Sequence, residues 1–413
     1  AYNIVTDVPQ EDVEATRNAA EALLEYKFIN AIDKVTRTYV PTIAYAVGNG
    51  EPIDLTVNDL GESLRNNYRL GVFDLKKGFP NPQQIDALLI VKPTQAFTEE
   101  DKLKLDQYLM GGGKLIWCID RLYAELDSLM RSNADFVAFD RNLNLDDVLF
   151  KYGVRINTDL VLDLNCSKVP IVVGYNPDRS PIMQRMPWPY YPFAMAQNSP
   201  ITKNVDRVLT LFPSSIDTVK ATGIKKTVLL ASDTNSRIIG SPAMVKLNTI
   251  ETESDFGLFN KSAVPIAVLL EGSFNSLYAN TITQAQRDTI LKQTGQEFKK
   301  SGKPSQQIVI ADADVVTNAV SKTTGPLPMG MLAMENYTFA NKDFFLNSVD
   351  YLIGKNQLYV ARNKEVTLRL LDKEKIEQQK TSVQLLAVGL PISLVVLLGF
   401  VLQYFRKRTY GSK

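Results

Sequence analysis

Short apolar runs alternate with amphipathic segments along the first third of the chain. The amphipathic segments, such as Asp54–Asn67 and Thr98–Met110, carry leucines at helical spacing. Strands that alternate with helices predict βα units, and hence an α/β fold with a mostly parallel sheet flanked by helices. The apolar runs, which are rich in β-branched residues and predict strands, are Pro41–Val47, Arg69–Leu75, Ala87–Val91 and Lys114–Ile119.

The second part of the chain continues this pattern less regularly. Residues 170–203 are rich in proline and aromatic residues and predict a long ordered loop, whereas the polar, basic segment Thr283–Pro304 predicts a mobile insert. One helical face of Asn341–Ile353 is apolar, which predicts a helix packed on the sheet. Further strands are predicted at Lys226–Ser232, Pro265–Glu271 and Gln307–Asp312.

The C-terminal region predicts a transmembrane helix. Residues 381–405 contain no charge, and Leu385–Leu402 is almost purely apolar, long enough to span about 27 Å of a bilayer's hydrocarbon core. The cationic run Arg406–Arg408 follows, so the short tail is expected in the cytoplasm and residues 1–380 outside it. A large ectodomain that precedes such a helix leads us to expect an upstream membrane anchor.

These patterns divide the chain into an ectodomain and a membrane anchor. The predicted parts are an N-terminal ectodomain segment at 1–36, an α/β half at 37–160, a second α/β half with the aromatic loop and the mobile insert at 161–360, a charged juxtamembrane stalk at 361–382, the transmembrane helix at 383–405 and the cytoplasmic tail at 406–413.

Composition excludes several classes of function. The formal net charge of +1 over 413 residues gives no basic face for nucleic acid. The absence of histidine excludes His-based triads and histidine-ligated zinc. The two cysteines, Cys118 and Cys166, allow at most one disulfide, and Cys118 lies in a predicted buried strand where a free thiol acts as a small apolar residue.

The glycine run Gly111–Gly113 followed by Lys114 resembles a phosphate-binding loop at first sight. A phosphate loop follows a strand and opens a helix, whereas this run follows a predicted helix and opens a strand. We therefore predict a helix C-cap and turn. A catalytic role for Cys118 would need an activating base and an exposed strand–helix elbow, and the sequence offers neither.

Two loops at predicted strand ends hold candidate ligand-binding residues. Asp312 and Asp314 end an apolar strand, and open α/β sheets usually bind ligands at such ends. Their carboxylates suit Mg²⁺ or Ca²⁺, but capping of the loop by aspartate is the favoured alternative, and we predict no metal site. The loop Gly48–Asn49–Gly50–Glu51 follows the first strand and is either a turn or a ligand loop; its candidates are Gly48, Asn49 and Glu51.

The aromatic residues Trp188, Tyr190 and Tyr191 are candidates for an interface. Tyrosine and tryptophan are favoured at recognition surfaces, but the surrounding prolines equally favour a rigid internal clamp.

Many collinear segments resemble GldG, the gliding-motility-associated ABC transporter accessory family of Bacteroidetes. They include FINAIDK at 28–34, GNGEP at 48–52, LDQYLMGGGKLIWCID at 105–120, NLDDVLFKYGVRIN at 144–157, PWPYYP at 187–192, IVIADADVVTN at 308–318 and NKDFFLNSVDYLIG at 341–354.

This resemblance implies a glutamine-amidotransferase-like ectodomain, an N-terminal transmembrane helix and no known catalysis. It also implies a GldF-like permease and a GldA-like ATPase as partners, with ATP bound by the ATPase and no cofactor in this chain. The sequence departs from the expected pattern at Asn49, where histidine is expected, and at Ala311 and Ala313, where serine and glycine are expected. These departures weaken a ligand site in the two loops.

The leading hypothesis is a non-enzymatic, membrane-anchored subunit of an ABC-type complex, with its ectodomain in the periplasm and its anchor in the inner membrane. A homodimer within the complex is plausible because each chain contributes a single helix beside the permease. The alternative is a periplasmic receptor for a solute or glycan. A third hypothesis, a degenerate amidotransferase-like hydrolase, would need Cys118 as an activated nucleophile.

Overall fold

A computed structural model describes residues 24–125, 135–247, 253–332, 337–354 and 373–411. Parts of the predicted N-terminal segment, stalk and tail, at 1–23, 355–372 and 412–413, lie outside the described residues. The helices are α1 Leu24–Thr36, α2 Asn58–Arg65, α3 Glu99–Met110, α4 Asp146–Tyr152, α5 Gln284–Thr294, α6 Asn341–Leu352 and α7 Lys373–Tyr410, with short 3₁₀ turns at Leu55–Val57, Glu253–Leu258 and Ala313–Val315.

The strands alternate with these helices in the first part of the chain and follow one another in the second. They are β1 Thr42–Val47, β2 Arg69–Asp74, β3 Ala87–Val91, β4 Lys114–Cys118, β5 Leu122–Tyr123, β6 Phe136–Asp140, β7 Val154–Ile156, β8 Asp159–Asp163, β9 Cys166–Tyr175, β10 Pro181–Ala196, β11 Val208–Leu209, β12 Ile216–Thr218, β13 Ile224–Ala231, β14 Ser236–Gly240, β15 Ala243–Val245, β16 Pro265–Asn275, β17 Ser301–Ile310, β18 Val320–Ser321, β19 Gly325–Pro326, β20 Met331–Leu332 and β21 Tyr337–Thr338.

The central feature is one ten-stranded mixed sheet in the order β11-β10-β13-β16-β17-β4-β3-β1-β2, with β9 paired to β10. The strands β2, β1, β3, β4 and β17 run parallel, and the sheet continues antiparallel from β16 onward. The predicted α/β class is therefore confirmed. Because β17 pairs with β4, strands from the predicted halves at 37–160 and 161–360 lie in one sheet and one compact unit.

Two layers of helices cover the two faces of the sheet. Side chains of each strand alternate between the faces, as the pleat requires. Ile116 and Cys118 join the core that holds Leu60 of α2 and Phe344 of α6. Leu115 and Trp117 join the core that holds Leu105 of α3 and Val148 of α4. Cys118 is completely buried, so the sheet uses it as an apolar side chain.

The turn between α3 and β4 follows the sequence prediction. Thr98 caps α3 in a capping box with Asp101, and the helix ends at the glycine run. Gly112 has φ +95°, and Gly113 N–H donates to the Tyr108 carbonyl at 3.0 Å. A Cβ on Gly113 would lie 2.4 Å from the Tyr108 ring, so this position has no room for a larger residue. The glycines therefore end a helix.

Two segments differ from their predicted conformation. The proline-rich aromatic segment is the long strand β10, because its pairing with β9, β11 and β13 compensates for the donors that proline lacks. The predicted mobile insert at Thr283–Pro304 holds α5 and the start of β17. Thr283 caps α5 in a capping box with Gln286, and Ile290 is buried in a small cluster, which explains why this polar segment is helical.

A smaller sheet lies in the same compact unit. It has the order β15-β6-β5, and its inner side chains join a core around Trp188. The pair β8–β14 contributes Leu160 and Leu162 to that core.

The C-terminal helix α7 belongs to a second unit. Its segment Val383–Arg408 has a mean hydropathy of 2.7 and none of its apolar window is buried. By length and composition this segment is able to cross a membrane, and it contains the predicted span 383–405.

Candidate functional site

The carboxyl ends of the parallel strands bring the predicted ligand residues to one edge of the sheet. Gly48–Glu51 follow β1, Lys92 follows β3, Asp120 lies just after β4, and Asp312 and Asp314 lie just after β17. Because β1, β3, β4 and β17 are parallel neighbours, these loops meet at the same edge. Open α/β sheets bind ligands at this edge.

Three aspartates cluster there. The carboxylate oxygens of Asp120, Asp312 and Asp314 lie within 4.8 Å of one another. Asp312 Oδ1 accepts the Asp314 N–H at 2.8 Å, and its Oδ2 accepts the Leu211 N–H at 2.6 Å. Asp120 Oδ1 accepts the Ala313 N–H at 2.6 Å. The carboxylates therefore cap the 3₁₀ turn that follows β17 and tie β4 to it.

Lys92 places a cation inside this cluster. Its Nζ lies 2.6 Å from Asp314 Oδ1 and 3.4 Å from Asp120 Oδ2. The residue has φ +50°, a left-handed conformation that is uncommon outside glycine, and its N–H donates to the Cys118 carbonyl at 2.9 Å. Carboxylate oxygens are suitable donors for Mg²⁺ or Ca²⁺, but here they already bind backbone N–H groups and an ammonium. The arrangement thus favours loop capping over a divalent cation.

Burial and charge shift the pKa values of these groups. Burial raises the pKa of Asp312, and the neighbouring charges of Asp314 and Asp120 raise it further. Burial also raises the pKa of Asp120, against the opposing effect of Lys92. Burial alone would lower the pKa of Lys92, but the Asp314 and Asp120 carboxylates outweigh it and raise the net pKa. Lys92 is therefore held as a cation, which disfavours it as a base.

The loop after β1 is tied to the loop after β3. The Asn49 carbonyl accepts the N–H groups of Thr94 at 3.0 Å and Gln95 at 2.8 Å. Gly48 has φ +121° and Gly50 has φ +81°. A Cβ on Gly50 would lie 2.1 Å from Thr94 Oγ1. The loop therefore needs both the backbone freedom and the small size of glycine at Gly50.

Asn49 and Glu51 each have one buried side-chain oxygen that accepts no hydrogen bond from the described residues. The Asn49 N–H donates to Glu51 Oε2 at 2.7 Å, and Asn49 Nδ2 faces Asp101 Oδ2 at 3.4 Å. Asn49 Oδ1 and Glu51 Oε1 have no donor among the residues that the structure describes. Burial raises the pKa of Glu51. The raised pKa favours the neutral acid, and burying a neutral carboxyl group costs less free energy than burying a carboxylate. Unpaired buried acceptors mark this loop as one where a water or another donor would be stabilised.

A cleft of about 400 Å³ opens at this edge. Of the predicted candidates, Asp314 lines it directly, together with Gly50. Asn49, Glu51 and Asp312 lie buried beside it. The residues that line the cleft include the polar Lys92 and the apolar Leu209, Leu211 and Leu332. Its volume falls in the range of small-molecule sites.

The aromatic candidates lie inside the core, not on an interface. Trp188, Tyr190 and Tyr191 are all less than 5% exposed, and their ring centroids lie 5.5, 5.9 and 5.4 Å from that of Phe212. Trp188 Nε1 donates to the Lys246 carbonyl at 3.0 Å. In this structure all three rings are therefore buried by internal packing and are not exposed on its surface.

Sequence reasoning missed three residues of the site: Lys92, Asp120 and Arg141. Lys92 and Asp120 each come within two residues of the end of a predicted parallel strand, so the rule that selected Asp312 would also have found them. Arg141 lines the cleft from the residue after β6. The sequence gives no sign that β6 lies near this edge.

The described residues form an α/β protein with a cleft at the carboxyl edge of its sheet, one apolar helix that is long enough to cross a membrane, and no recognisable catalytic constellation. A family model described as an ABC-type uncharacterized transport system matches residues 40–348. Because this match covers well over half of the chain, the protein belongs to that family of auxiliary transport components.

The remaining comparisons are remote. A search of curated proteins finds no significant match. Among solved structures, the mmIFT52 N-terminal domain aligns with a TM-score of 0.40 and 11% identity over 79% of this chain and 100% of that domain. The exo-beta-1,4-mannosidase Op5Man5 from Opitutaceae bacterium strain TAV5 aligns with a TM-score of 0.27 and 8% identity over 70% of this chain. The alignment spans 34% of the mannosidase, and neither likeness carries an argument about function.

Proposed function

We propose that this chain is a non-catalytic, membrane-anchored extracytoplasmic subunit of an ABC-type transport complex associated with gliding motility. The observation that carries the proposal is the combination of the family match over residues 40–348 with the exposed apolar helix Val383–Arg408. In this role a partner ATPase hydrolyses ATP, a permease changes conformation, and the compact unit transmits that change or engages a periplasmic ligand.

The partners and the orientation follow from the resemblance to GldG and from charge. A GldF-like permease and a GldA-like ATPase are the expected partners, and a homodimer would place two α7 helices beside the permease. The cations Arg406, Lys407 and Arg408 follow the apolar run, which supports a cytoplasmic tail and a periplasmic ectodomain in the inner membrane.

A non-catalytic role is supported by the chemistry of the cleft and core. The sequence has no histidine, and Cys118 is completely buried with a pKa raised by burial, which disfavours a thiolate nucleophile. Lys92, one of the two cations among the residues that line the cleft, is bound to two carboxylates. ATP would be bound by the partner ATPase and not by this chain.

Co-purification tests the assembly. The tagged full chain, expressed with its permease and ATPase and extracted in mild detergent, is expected to retain both partners at constant ratio through two chromatographic steps. An unrelated single-helix membrane protein with the same tag is the control. Recovery of nearly all of the chain without the permease and the ATPase would contradict the proposal.

Cysteine labelling tests the orientation separately. In a background without Cys166, a membrane-impermeant maleimide added to intact cells with a permeabilised outer membrane is expected to label Arg179→Cys, at an exposed hairpin turn. The same reagent is expected to label Gly411→Cys only after the inner membrane is lysed. The reverse pattern contradicts a periplasmic ectodomain.

A second candidate function, a periplasmic solute or glycan receptor, is favoured by the 400 Å³ cleft at the carboxyl edge of the sheet. This function predicts that a sugar, a peptide or a divalent cation raises the midpoint of thermal unfolding of the chain. The rise should be smaller in the variant Asp314→Asn. The matched control is Asp217→Asn, which alters an exposed ion pair with Arg155. The receptor idea fails if none of these ligands shifts the midpoint.

A further inference from the structure

The small sheet β5–β6–β15 is apolar on both faces, and among the described residues only one face packs against a core. Its inner side chains join the core around Trp188 and include Leu122, Ala138, Ala243 and Val245. Its outer side chains are Tyr123, Val137, Phe139 and Met244, which are 36%, 45%, 54% and 54% exposed. An antiparallel sheet with one face in water normally carries polar residues on that face.

The four outer residues form one continuous patch, which we call the apolar sheet face. Met244 lies opposite Val137 in the β15–β6 register, and Tyr123 lies opposite Phe139 in the β5–β6 register. Val137 and Phe139 are two residues apart on β6 and point the same way. The Tyr123 and Phe139 rings stack with centroids 5.4 Å apart. Contiguous exposed apolar patches of this kind mark interaction sites, unlike scattered single residues.

The area of the apolar sheet face indicates what kind of partner fits it. At these exposures each of the two aromatic residues, Tyr123 and Phe139, leaves roughly 100 Å² accessible, and with Val137 and Met244 the patch exposes about 300–400 Å². A stable protein dimer needs about 800 Å² from each partner. The patch is therefore too small to hold two copies of this chain together, and it suits a short segment of another protein.

The apolar sheet face is continuous with the cleft through Arg141. The Arg141 guanidinium lies 5.0 Å from the centroid of the Tyr123 ring. The same residue lines the cleft, next to Glu125 at 3.8 Å. An extended segment that crosses Tyr123 would thus pass from an apolar surface into a cleft that is lined by both polar groups and apolar side chains such as Leu211.

An extended peptide matches this arrangement because its alternate side chains point to one side. Apolar side chains at every second position would lie on the apolar sheet face. The peptide's backbone groups would lie beside the polar groups that line the cleft. We propose that the apolar sheet face binds an extended segment of a partner protein, apolar at alternate positions, one end of which enters the cleft beside Arg141. This surface does not depend on the role in an ABC complex.

A defined probe peptide tests this surface. The full chain in nanodiscs of phosphatidylcholine and phosphatidylglycerol is titrated against a fluorescein-labelled peptide of alternating leucine and threonine, flanked by lysine and glutamate. Saturable binding by fluorescence anisotropy is expected. The double variant Val137→Thr with Met244→Gln, which keeps side-chain shape, is expected to weaken binding at least tenfold. The matched control Val72→Thr, on the exposed edge strand β2, is expected to leave it unchanged.

Several outcomes overturn the proposal. The proposal is wrong if the peptide shows no saturable binding above that of empty nanodiscs. It is also wrong if Val72→Thr weakens peptide binding as much as the double variant does, or if the double variant binds the peptide as tightly as the wild type. A dimer seen by sedimentation that the double variant dissociates would assign the face to a second copy instead. Should the double variant lose its thermal transition, Phe139→Thr replaces it, with the same expected tenfold loss.

Discussion

Replacing Lys92 by methionine would remove the only cation that contacts both Asp120 and Asp314 among the described ion pairs. With charges 2.6 and 3.4 Å from the ammonium, the Coulomb energies are about 6 and 5 kcal/mol at an effective dielectric constant of about 20. Desolvation of the lysine offsets much of this attraction. Breaking a buried pair on one side nevertheless costs about 3–5 kcal/mol, because it leaves a buried charge uncompensated. We expect Lys92→Met to lose stability in this range.

The pH dependence gives this prediction a second test. The pKa of Asp312 is raised in the folded protein, so the folded state holds a proton that the unfolded chain releases. That contribution is present at low pH and is lost as the pH rises through the folded pKa. The Lys92 charge opposes the burial that raises the pKa of Asp120, so without the ammonium the pKa of Asp120 rises further, and a proton takes the place of the cation at low pH. The loss in Lys92→Met should therefore be smaller at pH 5 than at pH 8, by up to about 1.4 kcal/mol per pH unit for each proton.

Urea unfolding of the full chain in mild detergent, followed by tryptophan fluorescence, provides the assay. The chain has two tryptophans, and both Trp117 and Trp188 are buried in the compact unit. The matched control is Lys77→Met, which removes a lysine that is 84% exposed and lies 3.2 Å from Asp74. This control should unfold like the wild type. A loss below about 1 kcal/mol for Lys92→Met, or an equal loss at both pH values, would refute the reasoning.

Three further predictions concern packing and backbone conformation. Gly50→Ala should destabilise the compact unit by about 1–3 kcal/mol, as measured by urea unfolding. Adding Thr94→Ala should recover only the part of this loss that comes from the steric clash with Thr94, because the positive φ at position 50 remains. Full recovery of stability in the double variant would show that the positive φ costs nothing. Trp188→Ala should cost about 3–5 kcal/mol in the same assay, and a loss no larger than that of an exposed substitution would contradict its burial. Iodoacetamide should alkylate Cys166 in the native chain and Cys118 only after unfolding, as measured by mass spectrometry, since Cys118 is fully buried; equal rates would disprove this.

The parallel half of the sheet was predictable because its signals are local. The strand Ala87–Val91 has its predicted bounds, and helix α3 begins directly after Thr98, the first residue of the predicted amphipathic segment. Each of these elements is specified by a short apolar run or by a cap within a few residues. The sequence therefore predicted where the carboxyl ends lie, and with them the neighbourhood of Asp312 and Asp314.

The antiparallel half depends on pairings that the sequence does not display. The prolines of β10 suggested a loop, but tertiary pairing with β9 overrides that local preference. For the same reason Trp188 gave no sign of whether its ring lies inside or outside. The cleft combines the loops after β1 and β3 with Arg141 from a different sheet. No local pattern links positions so far apart, so only the structure brings them together.

The position of β17 has a consequence for biosynthesis. Ile308 pairs with Ile116, so the strand that completes the parallel half arrives 308 − 116 = 192 residues after its partner. At about 5–20 residues per second, roughly 10–40 s pass before β17 emerges. Throughout that interval the edge of β4 that later pairs with β17 has no neighbouring strand, and an unpaired strand edge is prone to wrong pairings between chains. The nascent chain therefore has a long aggregation-sensitive stage, which favours its protection by chaperones until the second half has been made.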